Sequence, residues 1–196
     1  MQDCRDARGR DVRACAASRH CPITQERPVT NAVPGEGNGE SPEVMFVGEA
    51  PGADEDWSGR PFVGRAGKLL GEMIRAMGYR REEVFIANIC KCRPADNRKP
   101  AAEEMACCFG FLRRQIRLVR PKVIVALGTT AVQGLLPDEK LNITRLRGHW
   151  REFGGIPLMP TFHPSYLLRD PNQKKYAWSD LKAVLARLGR AVPQKA

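Results

Sequence analysis

The chain has 196 residues, 42% hydrophobic and 28% charged. That balance suits one globular domain with a buried core and excludes a disordered or fibrous chain. Lys and Arg number 32 against 22 Asp and Glu, a formal net charge of +10, which points to a polyanionic partner, nucleic acid first. No run of about 18 apolar residues exists to cross a membrane, and the polar N-terminus lacks a signal-peptide core, so a cytoplasmic protein is expected.

Seven cysteines stand at positions 4, 15, 21, 90, 92, 107 and 108. In a reducing compartment, two clusters of thiols so far apart in sequence call for a role other than disulfides. Residues 12–17 suit a short helix ended by Cys21-Pro22, and 28–42, rich in Pro, Gly, Asn and Glu, reads as irregular.

The apolar run 44–47 ends on Gly48 and predicts a buried strand. Pro51, Gly52, Gly59 and Pro61 then break regular structure until Arg65, in a loop that carries Glu49, Asp54, Glu55, Asp56 and Phe62. Helical spacing returns over 66–77, with Gly78 as the cap. A second strand is expected over 83–89, a loop over 95–100 and a helix over 101–119. Residues 123–127 form the clearest buried strand, followed by Gly128 and a helix to about 136. A basic loop over 144–150 precedes a last strand at 157–162, which delivers His163. An amphipathic helix over 178–188 closes the chain.

Strands alternating with helices predict an α/β fold, a three-layer α/β/α sandwich around a largely parallel four-stranded sheet. Residues 1–196 are expected to form one domain, with 1–42 an irregular N-terminal segment. Four strands end on polar or glycine-rich positions (Gly48, Asn88, Gly128 and His163), and ligands in such sheets bind outside the carboxyl ends of the strands. The loop after Gly48 is neither a Walker loop nor a dinucleotide fingerprint, because no Gly-Lys-Ser/Thr and no Gly-x-Gly-x-x-Gly is present.

Gly48-Glu-Ala-Pro-Gly52 followed by Gly59-Arg-Pro-Phe-Val-Gly-Arg-Ala-Gly67 closely resembles motif 1 of the family 4 uracil-DNA glycosylases. Asn88-Ile-Cys-Lys-Cys-Arg-Pro94, Arg145-Leu-Arg-Gly-His-Trp150 and His163-Pro-Ser-Tyr-Leu-Leu-Arg169 resemble that family's later blocks, in order. The resemblance runs from about residue 33 to 185. It implies a DNA repair enzyme that flips uracil out of the helix and hydrolyses its N-glycosidic bond, acting as a monomer on single- or double-stranded DNA.

By this resemblance Asn88 reads the base, Phe62 stacks on it within a pocket floored by Gly48 and Ala50, and His163 lies at the uracil O2. Ala50 stands where other uracil glycosylases carry a water-activating Asp. Glu49 is therefore the candidate for orienting the water, with Glu55 as the alternative. Arg145, Arg147, Leu167, Leu168 and Arg169 are expected to contact DNA, the arginines on phosphates and a leucine in the vacated stack. Cys15, Cys21, Cys92 and Cys108 are similar to the four ligands of the family's 4Fe–4S cluster, which would tie residues 1–42 to the rest. Ser18 occupies the usual place of the first ligand, so Cys4 remains an alternative to Cys15. Two other readings stay open: a uracil-DNA binding or cross-linking protein of the same superfamily, and a metal-clipped DNA-binding module. The cross-linking branch carries an Arg-Arg-Ile-His insert, and none follows Asn88 here.

Overall fold

A computed structural model describes residues 21–26, 31–136 and 142–193. The expected helix at 12–17 lies outside the described residues. The elements run in chain order α1 (Pro22–Glu26), β1 (Glu36–Gly37), β2 (Val44–Gly48), α2 (Ala53–Ser58), α3 (Arg65–Ala76), β3 (Phe85–Asn88) and α4 (Ala102–Val119). They continue with β4 (Val123–Leu127), α5 (Gly128–Leu135), α6 (Ile143–Leu146), β5 (Arg151–Phe153), β6 (Ile156–Thr161), α7 (Pro164–Arg169) and α8 (Lys174–Arg187).

The sheet has the order β1-β3-β2-β4-β6-β5. Its four inner strands, β3, β2, β4 and β6, are mutually parallel. They match the expected four-stranded sheet, and antiparallel β1 and β5 extend it to six strands. β2 and β4 are buried along their whole length, because both faces of the sheet are covered. Their alternate side chains divide between two cores. Met45, Val47, Ile124 and Ala126 pack on one face with Cys108, Leu112 and Ile116 of α4 and Val132 of α5. Val44, Phe46, Val123 and Val125 pack on the other with Leu70 and Ile74 of α3 and Leu181 and Leu185 of α8. This is the α/β/α sandwich.

Several elements depart from the sequence reading: α1 and α7 were not expected, α6 makes the start of the expected basic loop over 144–150 helical, and four others follow. The loop after β2 contains α2, a short helix whose Gly52 N–H is accepted by the Glu55 Oε2 at 3.0 Å and which Gly59 ends at φ +71°. Acidic residues in its first turn favour the positive end of the helix dipole. β1 is only two residues long, too short to leave a periodic signal. β5 pairs with β6 through a Gly154-Gly155 turn with both φ positive, the glycine pair that a tight hairpin requires. α8 starts four residues before the expected 178, because Lys174, Lys175 and Tyr176 are exposed and Ala177 alone makes no apolar stripe.

β3 lies on one side of β2 and β4 on the other, so the connections from β2 and β3 diverge and leave a crevice at the strands' carboxyl ends. α3 closes one wall of this crevice, and it does so at one glycine. A Cβ on Gly67 would collide with the Phe62 carbonyl, whereas Gly71, on the same helix, has nothing within 4 Å. Gly67→Ala is therefore expected to destabilise the protein, while Gly71→Ala stabilises it by about 0.5–1 kcal/mol through helix propensity. Urea unfolding midpoints of the two variants check both signs.

Candidate active site

The carboxyl ends of β2, β3, β4 and β6 open into a cleft of about 740 Å³ lined by Glu49, Ala50, Glu55, Phe62, Asn88, Gly128, His163 and Arg169, among others. Gly48 is the pivot. A side chain there would collide with both the Asn88 carboxamide oxygen and the Phe62 ring, so the absence of a Cβ lets the amide and the ring meet.

Asn88 ends β3 and is buried. Its main-chain carbonyl accepts from the Lys91 Nζ at 2.7 Å, while its side-chain Oδ1 is buried without a hydrogen-bond partner. Leaving such an acceptor unpaired costs about 1–3 kcal/mol. The cleft beside it is where a ligand donor removes that cost.

Phe62 is held in the left-handed region at φ +52°, which costs a side-chain-bearing residue about 1–2 kcal/mol. Both flanks are fixed. On one side Arg81 donates to the Pro61 carbonyl and, at 2.6 Å, to the Glu36 Oε1. Arg60 binds the other Glu36 oxygen at 2.8 Å. Burial pushes the Glu36 carboxyl up, but the two guanidiniums outweigh it and hold the group below the usual range. On the other side the Glu55 Oε1 accepts from the Val63 and Gly64 N–H groups at 2.8 and 2.9 Å. Both Glu55 oxygens thus bind loop backbone. Glu49, by contrast, faces the cleft with no side-chain hydrogen bond among the described residues.

His163 follows β6, with its ring 5.7 Å from that of Phe62. The Ser165 backbone N–H donates to Nδ1 at 3.1 Å, and the Ser165 hydroxyl lies 2.7 Å from the same nitrogen. A backbone N–H can only donate, so Nδ1 is an acceptor and the neutral ring carries its proton on Nε2. Burial first, then the Arg169 charge, lowers the pKa to about 4, against a small opposing effect of Glu55.

Two of the expected DNA contacts have side chains engaged within the protein. Arg147 binds the buried Asp180 through its Nε, at 3.0 Å, and its Nη2, and it donates to the Tyr176 carbonyl at 2.8 Å. Its guanidinium is spent inside the protein. Leu167 is buried with Leu69, Phe162 and Ala177. Arg145 and Arg169 are exposed and Leu168 is half-buried. Sequence reasoning missed Asn97, Lys99 and Thr130 as cleft residues. Thr130 follows the strand end at Gly128, which was a usable signal; Asn97 and Lys99 lie in a loop that gave none.

Cys21, Cys90, Cys92 and Cys108 share one core cluster, and Cys107 packs against it. The hydrogen bond with Cys108, then burial, hold the Cys21 thiol well above its ordinary range. A bound cation reverses such a shift by stabilising thiolates. Among the described residues no three side chains form a group that could hold a metal ion, and Cys4 and Cys15 lie outside them. The donor chemistry, buried thiols gathered from distant segments, fits a soft metal or an iron–sulfur cluster.

Residues 34–182 match the family model of the uracil DNA glycosylase superfamily. The chain is 51% identical over 160 residues to the type-4 uracil-DNA glycosylase of Thermotoga maritima, covering 81% of this chain and 80% of that protein. It is 42% identical over 189 residues to the type-4 uracil-DNA glycosylase of Archaeoglobus fulgidus, covering 93% and 94%. The type-5 uracil-DNA glycosylase of Pyrobaculum aerophilum is 32% identical over 140 residues, covering 63% and 62%.

The depressed His163 pKa has a signed consequence. The folded ring binds its proton less tightly than the unfolded one, so its contribution to stability is complete above pH 6.5 and is lost as the pH falls toward about 4. NMR titration of the ring should show one transition near 4 and none near 6.5, with the Nε2–H tautomer present at neutral pH.

Proposed function

The chain belongs to the uracil DNA glycosylase superfamily, alongside its type-4 members, and from that premise we propose that it excises uracil from DNA by base flipping, leaving an abasic site. The observation that supports this best is the buried, unpaired Asn88 Oδ1 beneath the Phe62 ring. Uracil offers an N3–H donor and an O4 acceptor on its Watson–Crick edge. The Asn88 Oδ1 accepts from N3–H and its Nδ2 donates to O4. Cytosine reverses both groups, and each mismatch leaves a buried polar atom unpaired at about 1–3 kcal/mol. Phe62 stacks on the extruded ring, as aromatic faces do in enzymes that flip bases.

As the C1′–N1 bond breaks, its electron pair passes to the uracil ring and gathers at O2. The neutral His163 donates its Nε2–H to that oxygen, a preorganised donor aimed where charge develops. Glu49 orients the water whose oxygen bonds to C1′ and offsets the positive charge on the sugar. That water gives up a proton to solvent, and the uracil anion departs and takes up a proton from solvent. Glu55, with both oxygens on loop backbone, keeps Phe62 in place rather than meeting the water. Arg145 and Arg169 contact phosphates on either side, and Leu168 fills the space the base leaves. The enzyme acts as a cytoplasmic monomer on single- or double-stranded DNA. Among the described residues no helix is long and apolar enough to cross a membrane.

Cys21, Cys92 and Cys108, with Cys15 as the fourth ligand, hold a 4Fe–4S cluster. When bound it supplies a structural cross-link that ties residues 1–42 to the 92–108 region, within the single domain 1–196.

Four measurements bear on this reading. Asn88→Ala is expected to abolish uracil release from an oligonucleotide, and Asn88→Asp to admit cytosine. Glu49→Gln should lower the single-turnover rate without lowering the Tm, whereas Glu55→Gln should lower the Tm as well. Iron analysis should find a cluster in the brown purified protein that Cys92→Ser or Cys108→Ser removes and Cys107→Ser leaves. Loss of colour in Cys4→Ser with retention in Cys15→Ser would move the fourth ligand to Cys4.

A further inference from the structure

Resting on the glycosylase reading, we propose that Asp180 is a positioning residue for His163, acting through Thr161 and Arg147. Asp180 lies on α8, is buried, and is not among the residues that line the cleft. A buried carboxylate costs several kcal/mol unless paired and hydrogen-bonded, and this one is fully engaged. The Thr161 Oγ1 donates to its Oδ2 at 2.7 Å, and Arg147 binds both oxygens.

The location of these bonds gives them a role. β5 pairs with β6 only at residues 156–158. Beyond that, residues 159–161 have β4 on one side and no strand on the other. The Arg147–Gly148 segment lies along the open side, and Asp180 reaches Thr161 from α8. The Gly148 N–H donates to the Pro160 carbonyl at 3.2 Å, Thr161 is held by Asp180, and the Arg147 guanidinium lies 5.6 Å from the Phe162 ring centre. Three successive residues are thus fixed immediately before His163. Gly148 stays close because a Cβ there would stand 2.9 Å from the Asp180 Oδ1.

A purely structural account of the pair would be that it docks α8 on the sheet. α8 already does so through Ala177, Leu181, Val184 and Leu185, all buried. Apolar replacement of buried ion pairs is often neutral or stabilising, so docking alone does not call for one. Directional bonds add a fixed strand end, and with it a fixed Nε2–H direction.

The test compares Asp180→Asn and Thr161→Val with Leu185→Ala, a control on the same helix outside the network. Single-turnover uracil release, substrate affinity and the His163 ring ¹⁵N spectrum are measured for each. Asp180→Asn should lower the rate on the order of 10²-fold, the effect of a displacement of about 1 Å, with affinity unchanged and the ring signals altered. Thr161→Val should change both in the same direction by less. Leu185→Ala should lower the Tm while the rate and ring signals stay wild type. Rates that fall only as far as in the control, or ring signals unchanged in both network variants, overturn the proposal. Should Asp180→Asn not fold, the uncharged Thr161→Val decides alone. If the wild-type protein released no uracil, the glycosylase reading would fail, and the ring spectra would still decide whether Asp180 positions His163.

Discussion

The site depends on one missing side chain. Gly48 ends the central strand β2 where the amide of Asn88 and the ring of Phe62 both need its space. Any Cβ would force one of them away and break the contact of amide and ring. The surrounding elements answer to this close approach. β3 must run parallel and in register beside β2, with Gly48 opposite Asn88, for the amide to arrive. α3 must press against the Phe62 backbone, which Gly67 permits.

The strain at Phe62 follows from the same convergence. A ring over Gly48 requires a backbone turn that only a left-handed residue makes, at about 1–2 kcal/mol. Glu36 with Arg81 on one flank and Glu55 on the other hold that turn. Acidic residues in a strongly basic protein thus hold the Phe62 turn, Glu55 by accepting from loop N–H groups and Glu36 by accepting from the guanidiniums of Arg60 and Arg81. Glu49 is the exception among the loop carboxylates that line the cleft, and its lack of such duty leaves it available for chemistry.

Much of this was legible in the chain. β4 was readable to the residue because five consecutive apolar side chains buried on both faces leave an unambiguous run. Gly48, Asn88, Gly128 and His163 stood out as strand ends, and the structure brings them to one cleft. Arg147 and Leu167 are engaged within the protein in ways their local sequence does not carry. An arginine in a basic loop looks free when its partner, Asp180, is 33 residues away. A leucine beside Leu168 and Arg169 looks exposed until α7 turns one of the two inward. Short elements were invisible as well: two residues of β1 and three of β5 leave no period to detect. The ring proton of His163 could not be read at all, because it depends on the angle at which Ser165 meets the imidazole.

The two edge strands also bear on how the protein behaves at high concentration. A parallel sheet whose outermost strands were long and apolar would offer a template for a second chain to extend. Here one edge is the two-residue β1, with charged Glu36 and with Gly37 at φ +114°, a conformation that favours glycine. The other is β5, where Arg151 and Glu152 are exposed. Both edges are short and charged. The inner strands, apolar enough to aggregate if laid bare, are thereby shielded from intermolecular addition while the molecule stays folded.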